Sequence, residues 1–213
     1  TVNRNTMKLT ELICNLDYES IRSGKDSDIK DIQFDSRKVT DGSVFVAIKG
    51  TASDGHDYIG AAVKSGAVAV VYDDASRGSE IDGSVTAILV KDSSIALARL
   101  ASDYFGNPSQ KVTLVGVTGT NGKTTTATLL YQMFRKLGHK AGLLSTVINY
   151  IDDEAVEATH TTPDPLELNG LLAKMVERGC EYVFMEVSSH SVVQNRIAYL
   201  DFDGALFTNI TRD

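Results

Sequence analysis

Val112-Thr113-Leu114-Val115-Gly116-Val117-Thr118-Gly119-Thr120-Asn121-Gly122-Lys123-Thr124-Thr125-Thr126 is the stretch on which the fold turns. Its first six residues are an apolar, β-branched run of strand length, and 118–122 is a turn. From Lys123 the helical period takes over, with Ala127, Leu130, Phe134 and Leu137 at spacings of three and four and Gly138 as C-terminal cap. Strand, glycine-rich turn and helix in that order let backbone N–H groups and a helix N-terminus face an anion. Lys123 then offers a positive charge to the β- and γ-phosphates of a nucleotide, and the Thr124 hydroxyl a ligand to Mg²⁺. The strict phosphate-loop pattern has a glycine five residues before Gly122, where this chain has Val117, so the loop is a variant.

The same alternation extends to both sides. Upstream, the pattern predicts strands over 43–48, 67–72 and 86–90 and helices over 58–65 and 93–105, the last with Ile95, Leu97, Leu100, Ala101 and Tyr104 on an apolar face. Gly106-Asn107-Pro108-Ser109 breaks that helix and marks a domain boundary. Downstream, a strand over 143–148 precedes a helix that starts at Asp164-Pro165-Leu166-Glu167, where Asp164 can cap and Pro165 suits the first helical position. Leu168, Leu171, Leu172 and Met175 form its buried stripe up to Gly179. Strands over 182–187 and 205–207 flank a helix over 191–200. Repeated strand–helix–strand units predict an α/β fold with parallel sheets and right-handed crossovers.

Length and composition bound the function. At roughly 150 residues per domain, 213 residues make one large domain or two small ones. Hydrophobic residues at 42% and charged residues at 23% exclude a disordered or low-complexity chain. A net charge of −7 repels nucleic acid and anionic membranes, so any phosphate must be held locally. No apolar run reaches the roughly 18 residues of a membrane span, and 1–10 lacks a signal-peptide core. Cys14 and Cys180 lie in no metal-like spacing, which predicts buried free thiols and a reducing, cytoplasmic setting.

A second cluster, Met185-Glu186-Val187-Ser188-Ser189-His190, sits at the carboxyl end of a predicted buried strand, where open parallel sheets bind ligands. Glu186 there is a hard oxygen donor suited to Mg²⁺ or, alternatively, a strand-end acid paired with a lysine.

Taken together, Gly119-Thr120-Asn121-Gly122-Lys123-Thr124-Thr125, Thr161-Thr162-Pro163, Glu186-Val187-Ser188-Ser189-His190, Gln194-Asn195-Arg196 and Thr208-Asn209-Ile210-Thr211-Arg212-Asp213 resemble the Mur ligase family. Asp35-Ser36-Arg37 and 42–50 agree, so the resemblance runs from about Leu9 to Asp213. It is nearest to the branch that adds a diamino acid, meso-diaminopimelate or L-lysine, to UDP-N-acetylmuramoyl-L-alanyl-D-glutamate in peptidoglycan synthesis. Another Mur-type or folylpolyglutamate-type ligase, or a non-catalytic nucleotide-binding module, are the alternatives.

The resemblance implies an ATP-dependent ligase working through an acyl phosphate. It implies ATP contacts at Gly119, Thr120, Asn121, Gly122, Lys123, Thr124 and Thr125, Mg²⁺ at Thr124 and Glu186, and catalytic roles for Lys123 and Glu186. Phe34, Ser36, Thr51, Ala52 and Ser53 are expected at the UDP end. His160, Thr161, Thr162, Ser188, Gln194 and Arg196 are expected along the sugar-peptide. For Ser36-Arg37 the alternative is a surface turn with a solvated ion pair. In the family the last motif continues into a metal-binding histidine, a modified lysine and a domain that reads the incoming amino acid. The expectation is therefore a monomeric amino-terminal portion, with a UDP-sugar domain over 1–108 and half of an ATP-binding domain over 109–213, unable by itself to complete ligation.

Overall fold

The apolar runs 43–46 and 69–72 are buried at every position, and they form the middle of the sheet in the first of two units, Thr1–Leu100 and Ala101–Asp213. This computed structural model describes residues 7–22, 26–50, 53–158 and 160–211. In the first unit, β1 (Met7–Lys8), α1 (Leu9–Leu12), β2 (Ser20–Arg22), β3 (Asp28–Ile29), β4 (Asp31–Gln33), β5 (Ser43–Val46), α2 (Ile59–Lys64), β6 (Ala69–Tyr72) and β7 (Thr86–Leu89) follow in order, and the division after Leu100 falls within α3 (Ser93–Tyr104). The main sheet runs β2-β7-β6-β5-β4, with β4 to β7 parallel and β2 antiparallel, while β1 and β3 form a separate ribbon. Phe45, Val70 and Tyr72 pack against Ile59 and Ala62 of α2. Strands covered on both faces have no need of polar alternation, which is why β5 and β6 read as continuous apolar runs. The expected helix over 58–65 begins instead as a 3₁₀ turn, Gly55–Tyr58, capped by the Asp54 carboxylate. Ile95, expected on the apolar face of α3, is exposed.

The second unit holds β8 (Thr113–Thr118), α4 (Lys123–Lys136), β9 (Ala141–Leu144), β10 (Ile148–Ile151), β11 (Glu154–Glu157), α5 (Pro165–Glu177), β12 (Tyr182–Glu186), α6 (Ser189–Val193) and β13 (Gly204–Phe207). Its sheet order is β11-β10-β9-β12-β8-β13. Side chains alternate across β12, so Val183 and Met185 face one way and Phe184 the other. Val183 and Met185 join Leu168, Leu171, Leu172 and Met175 of α5, whereas Phe184 joins Ala127 and Tyr131 of α4. Two helices thus cover opposite faces of the β8, β9 and β12 core. Asp164 caps α5 as expected, its carboxylate accepting from Leu166 N (2.9 Å) and Glu167 N (3.0 Å).

Several expectations are corrected. The sheet is mixed, not purely parallel, because β10 and β11 run antiparallel to their neighbours. The predicted strand over 143–148 ends at Leu144: Ser145 N–H donates to Asn149 Oδ1 (3.0 Å) and Ser145 Oγ to Ile148 O (2.6 Å), which turns the chain. The helix expected over 191–200 ends at Val193, since Asn195 and Tyr199 adopt φ of 55° and 61°, incompatible with a right-handed helix. The strand expected over 205–207 is β13, an edge strand whose Leu206 and Phe207 are 41% and 64% exposed. Cys180 is buried but Cys14 is exposed, and both are free.

Candidate active site

β8 delivers the chain to the loop 119–122, and α4 carries it away. Gly119 and Gly122 have φ of +133° and +85°, conformations that favour glycine. α4 starts at Lys123, so the N–H groups of Lys123, Thr124 and Thr125 lie in a first turn that offers no intrahelical acceptor. The Lys123 ammonium folds back over the loop, donating to Gly119 O (2.7 Å) and Thr120 O (3.1 Å). Not every loop amide is left to face an anion as expected: Thr120 N–H donates to Asn209 O (2.9 Å) and Asn121 N–H to Asn209 Oδ1 (3.1 Å).

Parallel pairing sets β12 beside β8, with Glu186 opposite Val117, and so brings Glu186 to the mouth of this loop. The Thr124 hydroxyl donates to Glu186 Oε2 (2.9 Å) across 62 residues of sequence. Glu186 is only 1% exposed, and a carboxylate that deep requires donors around it. Thr146, just past the end of β9, supplies them: its N–H reaches Oε1 (2.9 Å) and its hydroxyl lies 3.2 Å from Oε2. Glu186 is therefore surrounded by hydroxyl and amide donors, and the lysine-pair alternative does not describe it. Thr146 Oγ1 is also 3.1 Å from Thr161 Oγ1. Thr162 Oγ1 donates to Glu186 O (3.0 Å), Ser188 N–H reaches Thr162 Oγ1 (3.4 Å), and Arg196 Nη1 donates to Thr162 O (2.8 Å).

Thr124, Glu186, Thr146, Thr161, Thr162, Ser188 and Arg196 are thus linked by hydrogen bonds around the carboxyl ends of β8, β9 and β12, with Lys123 next to Thr124 in the chain. The Ser188 side chain caps α6 by accepting from Ser191 N (3.1 Å). Thr125, Gln194 and His160 are exposed. Thr146 was missed by sequence reasoning because a strand drawn through 148 absorbed it. The available signal was its place two residues beyond a buried strand, where parallel sheets present ligand-facing groups. Among the described residues no cluster of three His, Cys, Asp or Glu side chains could hold a metal. The oxygen set of Thr124 and Glu186 nonetheless suits Mg²⁺, which takes one or two protein oxygens and fills its shell with water and phosphate.

In the first unit, Phe34 and Ser36 follow β4, and Ser53 lies in the connection after β5, so they leave the carboxyl ends of adjacent parallel strands. Thr51 and Ala52 lie outside the described residues. Gly55 N–H to Ile48 O and Gly50 N–H to Ser53 O, both 2.9 Å, close that connection. A Cβ on Gly55 would stand 2.6 Å from Ile48 N and O, so only glycine fits there. Arg37 pairs with Asp35 through Nε (2.9 Å) and Nη2 (2.8 Å), an exposed ion pair of the kind the surface-turn alternative describes. These bonds hold the Asp35 carboxyl down at about 2. A carboxyl lowered on folding stabilises the native state above its unfolded value near 3.8 and loses that contribution as pH falls towards 2. Arg37→Ala should raise the Asp35 midpoint from about 2 towards the free value of 3.8 in a carboxyl-detected NMR titration, the residue-37 N–H bond to Oδ1 remaining. An Asp35 midpoint unchanged in that variant would refute the assignment.

A phosphate-type loop between a parallel strand and a helix, with a buried glutamate on the adjacent strand, is an arrangement found in nucleotide-binding α/β folds. The Mur ligase middle domain matches residues 117–213, and the Mur ligase family catalytic domain matches residues 28–105. The chain belongs to the Mur ligase family. It is 59% identical over 207 residues to the UDP-N-acetylmuramoyl-L-alanyl-D-glutamate--2,6-diaminopimelate ligase of Parabacteroides distasonis. That match takes in 97% of this chain and 42% of the relative, so the chain spans less than half of that protein's length. A solved structure of a ligase with the same name superposes with a TM-score of 0.75 at 24% identity, covering 98% of this chain and 41% of that one. The MurF ligase of Thermotoga maritima in complex with ADP aligns with a TM-score of 0.52 at 26% identity, covering 84% of this chain and 37% of that one. Among the described residues no helix is long and apolar enough to cross a membrane.

Proposed function

We propose that this chain supplies the UDP-sugar-binding and ATP-binding parts of a cytoplasmic ligase that joins 2,6-diaminopimelate to UDP-N-acetylmuramoyl-L-alanyl-D-glutamate. The observation that carries this reading is the 2.9 Å contact of Thr124 Oγ1 with buried Glu186 at the mouth of the loop 119–122. The names of the similar ligases favour 2,6-diaminopimelate over lysine as acceptor.

In this reading Gly119, Thr120, Asn121, Gly122, Lys123, Thr124 and Thr125 form the phosphate cradle, in which the first-turn amides of α4 and the Lys123 ammonium meet phosphate oxygens. Thr124 and Glu186 would hold Mg²⁺, which when bound would supply positive charge against the transferred phosphoryl group. A substrate carboxylate oxygen attacks the γ-phosphorus and ADP leaves; the amine of the acceptor then displaces phosphate from the acyl carbon. Lys123 steadies the growing charge, and no covalent enzyme nucleophile is needed. Thr161, Thr162 and Arg196 act as one unit, since Arg196 fixes the Thr162 carbonyl; with His160, Ser188 and Gln194 they line the sugar-peptide. Phe34, Ser36, Thr51, Ala52 and Ser53 receive the uridine diphosphate end.

Calorimetric titration of this chain checks the reading. ATP should bind at least about tenfold more tightly with Mg²⁺ than without it, and more tightly than GTP. UDP-N-acetylmuramoyl-L-alanyl-D-glutamate should give measurable heat of its own. Preference for GTP, or no saturation by millimolar ATP, would refute it.

A further inference from the structure

Gly119 is glycine for a reason unconnected with phosphate. A Cβ there would lie 2.2 Å from Thr208 Oγ1, 2.8 Å from Asn209 O and 3.0 Å from Asn209 N. The segment 208–211 presses against the loop because β13 pairs in parallel with β8, Phe207 beside Thr118, and Thr208 N–H continues the ladder to Thr118 O (2.9 Å). Leu114 N–H to Asp203 Oδ2 (2.8 Å) and Asp203 N–H to Leu114 O (2.9 Å) anchor the start of β13.

The contacts from Thr208 and Asn209 fall on main chain, and those from Thr211 on the Thr120 and Asn121 side chains. Asn209 grips the main chain of Asn121 at both ends: its Oδ1 accepts the N–H (3.1 Å) and its Nδ2 donates to the carbonyl (3.1 Å). Thr208 Oγ1 donates to the same carbonyl (2.6 Å) and lies 3.2 Å from Thr118 O. Asn209 O takes the Thr120 N–H (2.9 Å). Thr211 N–H reaches Thr120 Oγ1 (3.1 Å), and Asn121 Nδ2 reaches Thr211 Oγ1 (3.3 Å). The Gly119 and Thr120 carbonyls that hold Lys123 Nζ therefore sit on a loop fixed from outside by a segment almost 90 residues away.

We propose that 208–211 is a clamp that sets the phosphate loop in shape before nucleotide arrives, with Asn209 and Thr208 as positioning residues. The proposal deepens the nucleotide-binding reading and rests on it. The clamp occupies the Thr120 and Asn121 amides, so the phosphates are met by the first turn of α4 and by Lys123. It also substitutes for the missing glycine at Val117, since a loop held from outside needs less of its own turn chemistry. Preorganisation of this kind strengthens binding by removing the cost of ordering the loop.

Two measurements on the 213-residue chain test this. Amide exchange by NMR without nucleotide should show the Asn121 N–H protected, and Asn209→Ala should speed its exchange by about tenfold or more. Equilibrium MgATP binding should weaken about tenfold in Asn209→Ala and about threefold in Thr208→Val, magnitudes expected for lost hydrogen bonds. Thr208→Ser, which keeps the hydroxyl, should stay within about twofold of the parent. A purely structural role would lower the melting temperature of Thr208→Val and Thr208→Ser alike without separating their ATP affinities, and that result would overturn the proposal. ATP affinity unchanged in a folded Asn209→Ala variant would overturn it too. If the parent chain binds no ATP, the nucleotide reading fails, and Asn121 exchange still decides the clamp: protection supports it and fast exchange refutes it.

Discussion

Replacing Lys123 with alanine should weaken MgATP binding by about 100-fold, the equivalent of about 2.7 kcal/mol and within the range of a charge-assisted hydrogen bond to phosphate. The resting ammonium already sits over the loop, 2.7 Å from Gly119 O and 3.1 Å from Thr120 O. Nucleotide binding exchanges or shares those carbonyl partners for phosphate oxygens, a gain because an anion outbids a neutral carbonyl for a cation. Lys123→Arg should also lose about tenfold or more, because a planar guanidinium cannot replace a compact ammonium in a tight loop. Both losses are to be read by equilibrium titration with the fold verified by circular dichroism. ATP affinity within threefold of the parent in Lys123→Ala would remove Lys123 from the phosphate site.

Glu186→Gln should abolish the Mg²⁺ dependence of ATP binding. The substitution keeps volume but turns one acceptor into an amide donor facing the Thr124 and Thr146 hydroxyls. Affinity in Mg²⁺ should fall about 30-fold, towards the value measured with chelator, a loss of about 2 kcal/mol. Urea unfolding should show a cost of about 1–3 kcal/mol, since buried donors lose a charged partner. Glu186→Leu leaves the Thr146 N–H, the Thr146 hydroxyl and the Thr124 hydroxyl without their acceptor, and should cost more stability than Glu186→Gln. A folded Glu186→Gln protein that still responds to Mg²⁺ as the parent does would exclude Glu186 as a metal ligand.

These two residues were legible in the sequence for different reasons. Lys123 stands out because its chemistry is local: glycine turn, lysine and hydroxyl occur within six residues, between an apolar run and a helical period. The cap at Asp164 is legible on the same grounds, since an N-cap is read from the next three residues. Glu186 is visible only as an acid at the end of an apolar strand. Its neighbours are invisible there, because Thr124 and Thr146 lie 62 and 40 residues away. The hairpin of β10 and β11 escaped notice because its strands are short and β11 is largely exposed, which leaves no apolar period to find.

Local order along the chain therefore determined the α/β class, the strand–loop–helix of the proposed nucleotide site and the ends of its major helices, because hydrophobic period and turn chemistry act over a few residues. The tertiary structure decided the rest. Parallel pairing of β8 with β12 and β13 is what brings Glu186 to Thr124 and lays Asn209 across the loop. Threonine and asparagine carry no periodic signal of their own, and their hydrogen bonds are directional and short-ranged, so their partners exist only once the strands are in register.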